Sequence, residues 1–321
     1  MTAKPPNEPW RHHYVPKFLL QQWCNEEGKL AVYQKLPTGE VTVDWKVPKS
    51  VGFEPKLYTF PALGEAATSI ETRLFGRLDT EAAKIVQRMI ETGGEELEPD
   101  EKQWWSYFLL GMIIRGPEST RALKDAATEM WAAPDPKTQA EYEKRKGPDD
   151  PLTMEEWLIS EAGSNERGGQ QLGHRLLHSL VMHGGLAERI LQMEWFVMVS
   201  HDDSEPFLTS DRPIFTSNGI GKENGQILLP IGPRHLFMAF WDRGFARDVT
   251  RSPVHHTIDL ARKFVTVRAQ KYVYASTADE SEFVRSWFGY ERVTSIGETL
   301  AANWAANGLG GDDGDDETTP D

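Results

Sequence analysis

The spacing of apolar positions changes three times along this chain, and each change predicts a different kind of element. Residues 29–34 and 40–45 alternate with a period of two around Pro37-Thr38-Gly39, which predicts an antiparallel hairpin. Pro48, Gly52 and Pro55 then break the pattern, so the chain there is expected to be irregular. Over residues 62–91 the period lengthens. Ile70, Leu74, Leu78, Ile85 and Met89 form one apolar stripe, and Gly93-Gly94 should end that helix. Pro99-Asp100 opens a second helix carrying Trp104, Trp105, Phe108, Leu109, Met112 and Ile113. Gly116-Pro117 interrupts it after Arg115, and a further helix runs to about Trp131.

Residues 132–151 are rich in Pro, Asp and Lys and read as a break or an insertion. A capping box at Thr153-x-x-Glu156 predicts a short helix, and residues 170–183 another, stopped by Gly184-Gly185. The pattern then returns to strands: residues 194–199 read as a central strand or the close of a helix running into one, and short strands follow at 207–209, 213–215, 226–229 and 236–240. Helices are expected again at 257–274, 279–287 and 295–306, the last with Ser295-x-x-Glu298 as its capping box. Ahead of all this, residues 11–23 read RHHYVPKFLLQQW. Pro16 disfavours helix at Val15, so His12 and His13 should lie on extended chain with side chains on opposite sides. A short helix then turns Phe18, Leu19 and Trp23 inward.

Strands bunch together rather than alternating with helices, which predicts an α+β fold. The expectation is a helix-rich domain over residues 10–306 with an amino-terminal β-hairpin and a later mixed or antiparallel sheet. Residues 1–9 should be a flexible lead-in, and residues 307–321 an acidic disordered tail. At 321 residues the chain can bury a large core without a staple, and the single Cys24 leaves no intrachain disulfide and no Cys-rich zinc module. Eleven tryptophans scattered over different elements read as core and docking residues rather than one stacking platform.

The formal charge of −14 argues against a long nucleic-acid groove, though not against a few phosphate contacts. Neither a membrane-spanning run nor a signal-peptide pattern is visible, which predicts a cytoplasmic protein with no membrane partner. There is no Walker A motif, no CxxC and no GxGxxG after a strand. These absences weaken phosphoryl transfer by a P-loop, thiol redox chemistry and dinucleotide binding.

Candidate chemistry gathers in two stretches, RHHYVP and FLTSDRPIF (residues 207–215). His12 or His13 could transfer a proton or bind a metal, with Glu71 and Asp211 orienting it or completing a metal shell. Arg115 could clamp an anion, and Ser210 could donate a hydrogen bond or act as nucleophile. The metal set expected here is His13, Glu71 and Asp211, holding a divalent ion. A plainer reading serves the same residues: His13 answering a turn carbonyl, Ser210 and Asp211 capping the turn before Pro213, and Arg115 neutralising Glu71. His174 and His178, four apart on a helix, form a weaker metal pair, because HRLLH lacks the glutamate of HExxH. His201-Asp202-Asp203 and His255-His256 are weaker still.

HHYVPKFLLQQW resembles the start of the DUF4238 family, in which a His-His-Tyr-Val-Pro stretch precedes an aromatic, apolar helix. FLTSDRPI is similar to a second stretch of that family, with Leu208 for its usual isoleucine and Arg212 where asparagine is common. Ile70-Glu71, Arg115, LLPIGPRHLF and AQKYVYA fit its remaining pattern. The resemblance implies a shared α+β fold and a shared polar site, with no reaction attached. HHYVP also resembles the His-rich strand of HNH nucleases, whose other ligands are not evident here. Two functions are therefore expected in parallel. One is metal-assisted phosphodiester hydrolysis, as in a nuclease. The other is noncatalytic binding or regulation, within cellular defence for example. An anionic small molecule, a nucleic acid or a second copy of the chain are the partners in view.

Overall fold

The computed structural model describes residues 10–94, 97–134, 136–201 and 204–307. The expected lead-in at 1–9, Asp202-Asp203 and the tail beyond Asn307 lie outside the described residues. Strand β1 (Arg11–His13) and helix α1 (Lys17–Gln21) come first, then the hairpin β2 (Leu30–Lys35) and β3 (Val41–Lys46), and β4 (Phe53–Pro55). A π turn at Ile70–Phe75 leads into α2 (Gly76–Thr92). The helical body continues with α3 (Pro99–Ile114), α4 (Pro117–Ala132), α5 (Pro136–Arg145), α6 (Met154–Ala162), α7 (Asn165–Val181) and α8 (Gly184–Leu191). Strands β5 (Glu194–Val199), β6 (Thr209–Ser210), β7 (Phe215–Ser217), β8 (Gln226–Gly232) and β9 (His235–Phe240) follow. The chain closes with α9 (Arg243–Arg251), α10 (Val254–Val267), β10 (Tyr272–Ala275), α11 (Ser281–Trp287) and α12 (Ile296–Asn307).

Among the described residues the strands pair antiparallel, in sheets of order β1-β4, β3-β2-β10-β6 and β5-β9-β8-β7. This is an α+β fold. Strands β2 and β9 are each buried on both faces, with alternate side chains entering different cores. In β2, Leu30 and Val32 join the main helical core, while Ala31 and Tyr33 join a second core with Val265, Val273 and Val284. In β9, Phe237 and Ala239 face the main core, while Leu236, Met238 and Phe240 pack on Ala246 and Ile258. Helices α2, α3, α7 and α8 thus lie on one side, and α9 to α11 on the other.

Several expectations are corrected. The helix expected over 257–274 stops at Val267, and Tyr272–Ala275 is a strand. Its amides at Gln270, Lys271 and Tyr272 bond the Asp211 carboxylate instead of carbonyls four residues back. Within residues 132–151 the chain forms α5, an exposed helix laced by Glu141–Arg145 (2.7 Å) and Glu143–Lys146 (2.7 Å) ion pairs, where only a break or an insertion is expected. Gly184-Gly185 starts α8 rather than stopping α7, because the His183 ring accepts from Leu186 N (3.2 Å) and caps the helix. Strand β5 is an edge strand, not a central one. Helix α9 was not anticipated; Asp242 caps it by accepting from Phe245 N at 2.7 Å. In α1 the buried pair is Leu19 and Leu20, with Phe18 half-buried. No helix among the described residues is long and apolar enough to cross a membrane.

Candidate active site

Strand β1 sends its two histidines in opposite directions, as extended backbone dictates. His12 is fully buried. Its Nδ1 accepts from Tyr58 N at 2.9 Å and its ring stacks on Tyr58. This residue fixes backbone. His13, only 9% exposed, tilts against Phe53 and lines a cleft of about 620 Å³ between β1 and the start of α2. Its Nε2 is buried without a hydrogen-bond partner, and a ring hydrogen bond to the Arg11 backbone favours the protonated form. Burial first, then the charges of Lys17 and Arg115, lower its pKa to about 4, so the ring is neutral at physiological pH.

Glu71 faces His13 from the π turn. A π turn inserts one residue into the helical register, and such turns recur at functional sites. Here it lets Glu71 and Asp79 line the same cleft wall with Phe75. Burial raises Glu71 to about 7, opposed by Arg115 and by the His13 backbone N–H directed at the carboxylate. Asp79 is raised to about 6 by burial, again against the pull of Arg115. Arg11, Lys17 and Lys49 complete the cleft with positive charge.

Arg115 stands behind this wall rather than in the cleft. It is 1% exposed, donates from Nε to the Tyr14 carbonyl (3.0 Å) and from both terminal nitrogens to Asp79 Oδ1 (2.8 and 3.0 Å), and lies over Phe75 and Phe108. Its partner is Asp79, not Glu71 as the plainer sequence reading had it. Tyr58 Oη donates to the Arg115 carbonyl at 2.7 Å, which locks the end of α3 to the His12 segment.

The second motif meets the first, but not through the expected side chains. Trp23 Nε1 donates to the Phe207 carbonyl at 2.8 Å. Asp211, however, lies outside the His13 cleft. Its Oδ1 accepts from Gln270 N (2.9 Å) and its Oδ2 from Lys271 N (2.6 Å) and Tyr272 N (3.1 Å). Burial pushes it up to about 6 against those three amides. Ser210 Oγ accepts from Arg212 N at 3.1 Å. The expected single cluster is therefore divided: His13 and Glu71 share a cleft with Arg115 behind it, while Ser210 and Asp211 organise the turn into β10. The three expected metal donors do not stand together, and among the described residues no three His, Cys, Asp or Glu side chains are grouped to hold an ion. His174 Nε2 pairs with Ser69 Oγ at 2.7 Å, and the rings of His255 and His256 pack on each other.

Sequence reasoning missed Asp79 and the basic rim. Asp79 follows Leu78 at the edge of the apolar stripe, and a carboxylate beside buried positions was the available signal.

Fold and cleft together define a helix-rich α+β protein with a polar cleft against its amino-terminal strand. The chain belongs to the family described as "Protein of unknown function (DUF4238)", whose model matches residues 11–279. Neither a curated protein nor a solved structure matches it.

Proposed function

We propose that the His13 cleft binds an anionic substrate and hydrolyses it by proton transfer, with phosphodiesters as the substrate class. The observation that carries this is a carboxyl held at about 7, Glu71, beside a neutral imidazole with an unpartnered nitrogen, in a cleft rimmed by Arg11, Lys17 and Lys49. A group that titrates near the working pH can both take and return a proton. Glu71 takes a proton from the attacking water and returns one to the leaving oxygen as its P–O bond breaks, His13 walls the cleft beside it, and the three cations draw the phosphate in. His12 and Arg115 are positioning residues, through Tyr58 and through Asp79 and Tyr14. In a metal-assisted form of this reaction Glu71 and Asp79 would hold a divalent ion, which would polarise the phosphate.

The test is turnover of bis(p-nitrophenyl) phosphate and of short RNA and DNA, with and without added magnesium or manganese. Glu71→Gln should lower kcat by about 10² to 10⁴ and remove the limb of the pH profile near neutrality. Full activity in Glu71→Gln ends this reading. The noncatalytic alternative draws support from the internal commitments of Arg115 and Asp211. Salt-sensitive binding of these probes, lost in Lys17→Ala, with no product formed would favour it.

A further inference from the structure

A second cavity, of about 260 Å³, lies where Tyr14, Asp211 and the starts of α4 and α12 come together. Two arginines line it. Arg212 is committed: Nη1 donates to the Val293 carbonyl at 2.7 Å, and Nη2 lies 3.5 Å from the Glu118 carboxylate. Arg268 is different. Its Nε and Nη1 are buried without any hydrogen-bond partner, and its guanidinium rests over the Phe215 ring at 5.1 Å. Guanidinium does not release its proton at neutral pH, so a desolvated one needs an acceptor. The acids in the cavity wall do not supply it, and Glu291, whose charge acts on Arg268 from outside that wall, makes no hydrogen bond to its Nε or Nη1. Asp211 is answered by three amides, and Glu118 faces Arg212.

The backbone shapes this wall. Gly297 N donates to Ser119 Oγ at 3.0 Å, and a Cβ at Gly297 would come within 2.4 Å of Ser119, so only glycine lets the two helix starts approach so closely. The N–H groups that open α12 are already answered, Ser295 N by Glu298 Oε2, Gly297 N by Ser119 Oγ and Glu298 N by Ser295 Oγ, whereas Arg268 Nε and Nη1 are not. Met112, Ile113 and Ile214 make another side of the cavity apolar.

We propose that this cavity binds a small oxyanion, phosphate or carboxylate, carried on a short apolar group, with Arg268 as its clamp. The site is separate from the His13 cleft, and its α12 wall lies beyond the part of the chain that matches the family. The fork of a guanidinium fits either oxyanion in two-point contact.

Titration of the full chain with phenyl phosphate, benzoate and uncharged benzyl alcohol tests this. Binding is followed by calorimetry and by the ¹³C-methyl signal of Met112. At least one anion should bind and shift Met112, benzyl alcohol should bind at least tenfold more weakly, and added salt should weaken the anion. Binding of phenyl phosphate alone assigns a phosphate ligand, and binding of benzoate alone a carboxylate. Arg268→Met should lose at least tenfold in affinity while its Tm holds or rises, because two buried N–H groups without partners have been removed. Arg268→Lys should lose part of the affinity by keeping charge without the fork. The proposal is overturned if neither anion binds folded wild type or if Met112 does not respond to a bound anion. Equal binding of benzyl alcohol, or undiminished binding in Arg268→Met, overturns it as well.

Discussion

Asp211 and His13 carry opposite lessons about single residues. Each stands in a motif that invites a chemical reading, yet both carboxylate oxygens of Asp211 are taken by backbone amides, whereas His13 Nε2 has no partner. Hydrogen bonds to a buried carboxylate are worth about 1.5–3 kcal/mol each and do not add fully, so Asp211→Ala should cost about 3 kcal/mol in denaturant unfolding. Asp211→Asn should cost nearly as much, because its amide N–H₂ meets donors. Hydrogen exchange at Gln270, Lys271 and Tyr272 should quicken in both variants, and unchanged exchange there would refute this role. The sequence stretch Ser-Asp-Arg-Pro pointed to a turn, and that much was legible. Which amides the carboxylate would take was not, because they lie about sixty positions away along the chain.

Helix α3 was readable from its Pro99 start and aromatic stripe, and so was its end at Gly116-Pro117. Its last side chain was not. Arg115 emerges from an apolar helix end, where a substrate clamp and an internal strut look alike in one dimension. Burial at 1% and three charge-assisted contacts decide for the strut. Breaking a buried ion pair from one side leaves an uncompensated charge, so Arg115→Met should destabilise by about 3–5 kcal/mol. Adding Asp79→Leu should recover much of that loss, since an apolar pair of similar volume replaces the charges. A double variant no more stable than Arg115→Met alone would show that the Tyr14 carbonyl contact, not the pair, dominates. The same ambiguity explains the misread end of α10. Gln-Lys-Tyr-Val-Tyr can extend a helix or begin a strand, and only β2 and β6, waiting on either side, resolve it.

At the scale of the whole molecule, two of the burial-driven shifts in the His13 cleft, those of Glu71 and His13, act on stability in opposite directions. Glu71 has a folded pKa near 7, above its ordinary 4.5, so the folded state binds the extra proton. Its stabilising contribution is complete below about pH 4.5 and is lost as pH rises through 7. His13, lowered from 6.5 to about 4, contributes stability that is present above pH 6.5 and is lost as pH falls through 4. Wild type therefore mixes two slopes of opposite sign, and its own pH profile will look flatter than either. Differences separate them. Between pH 4.5 and 8, Glu71→Gln should gain on wild type by on the order of 2 kcal/mol as pH rises. His13→Asn should gain by a similar amount as pH falls from 7 to 4. Urea unfolding of the three proteins across pH 4–8 checks both at once. Parallel curves would mean that neither group is held away from its ordinary range, and the acid–base reading of the cleft would lose its basis. Such shifts are invisible in a linear sequence, because they arise where β1, a π turn and the end of α3 exclude water together, and that meeting belongs to the fold rather than to any one stretch of it.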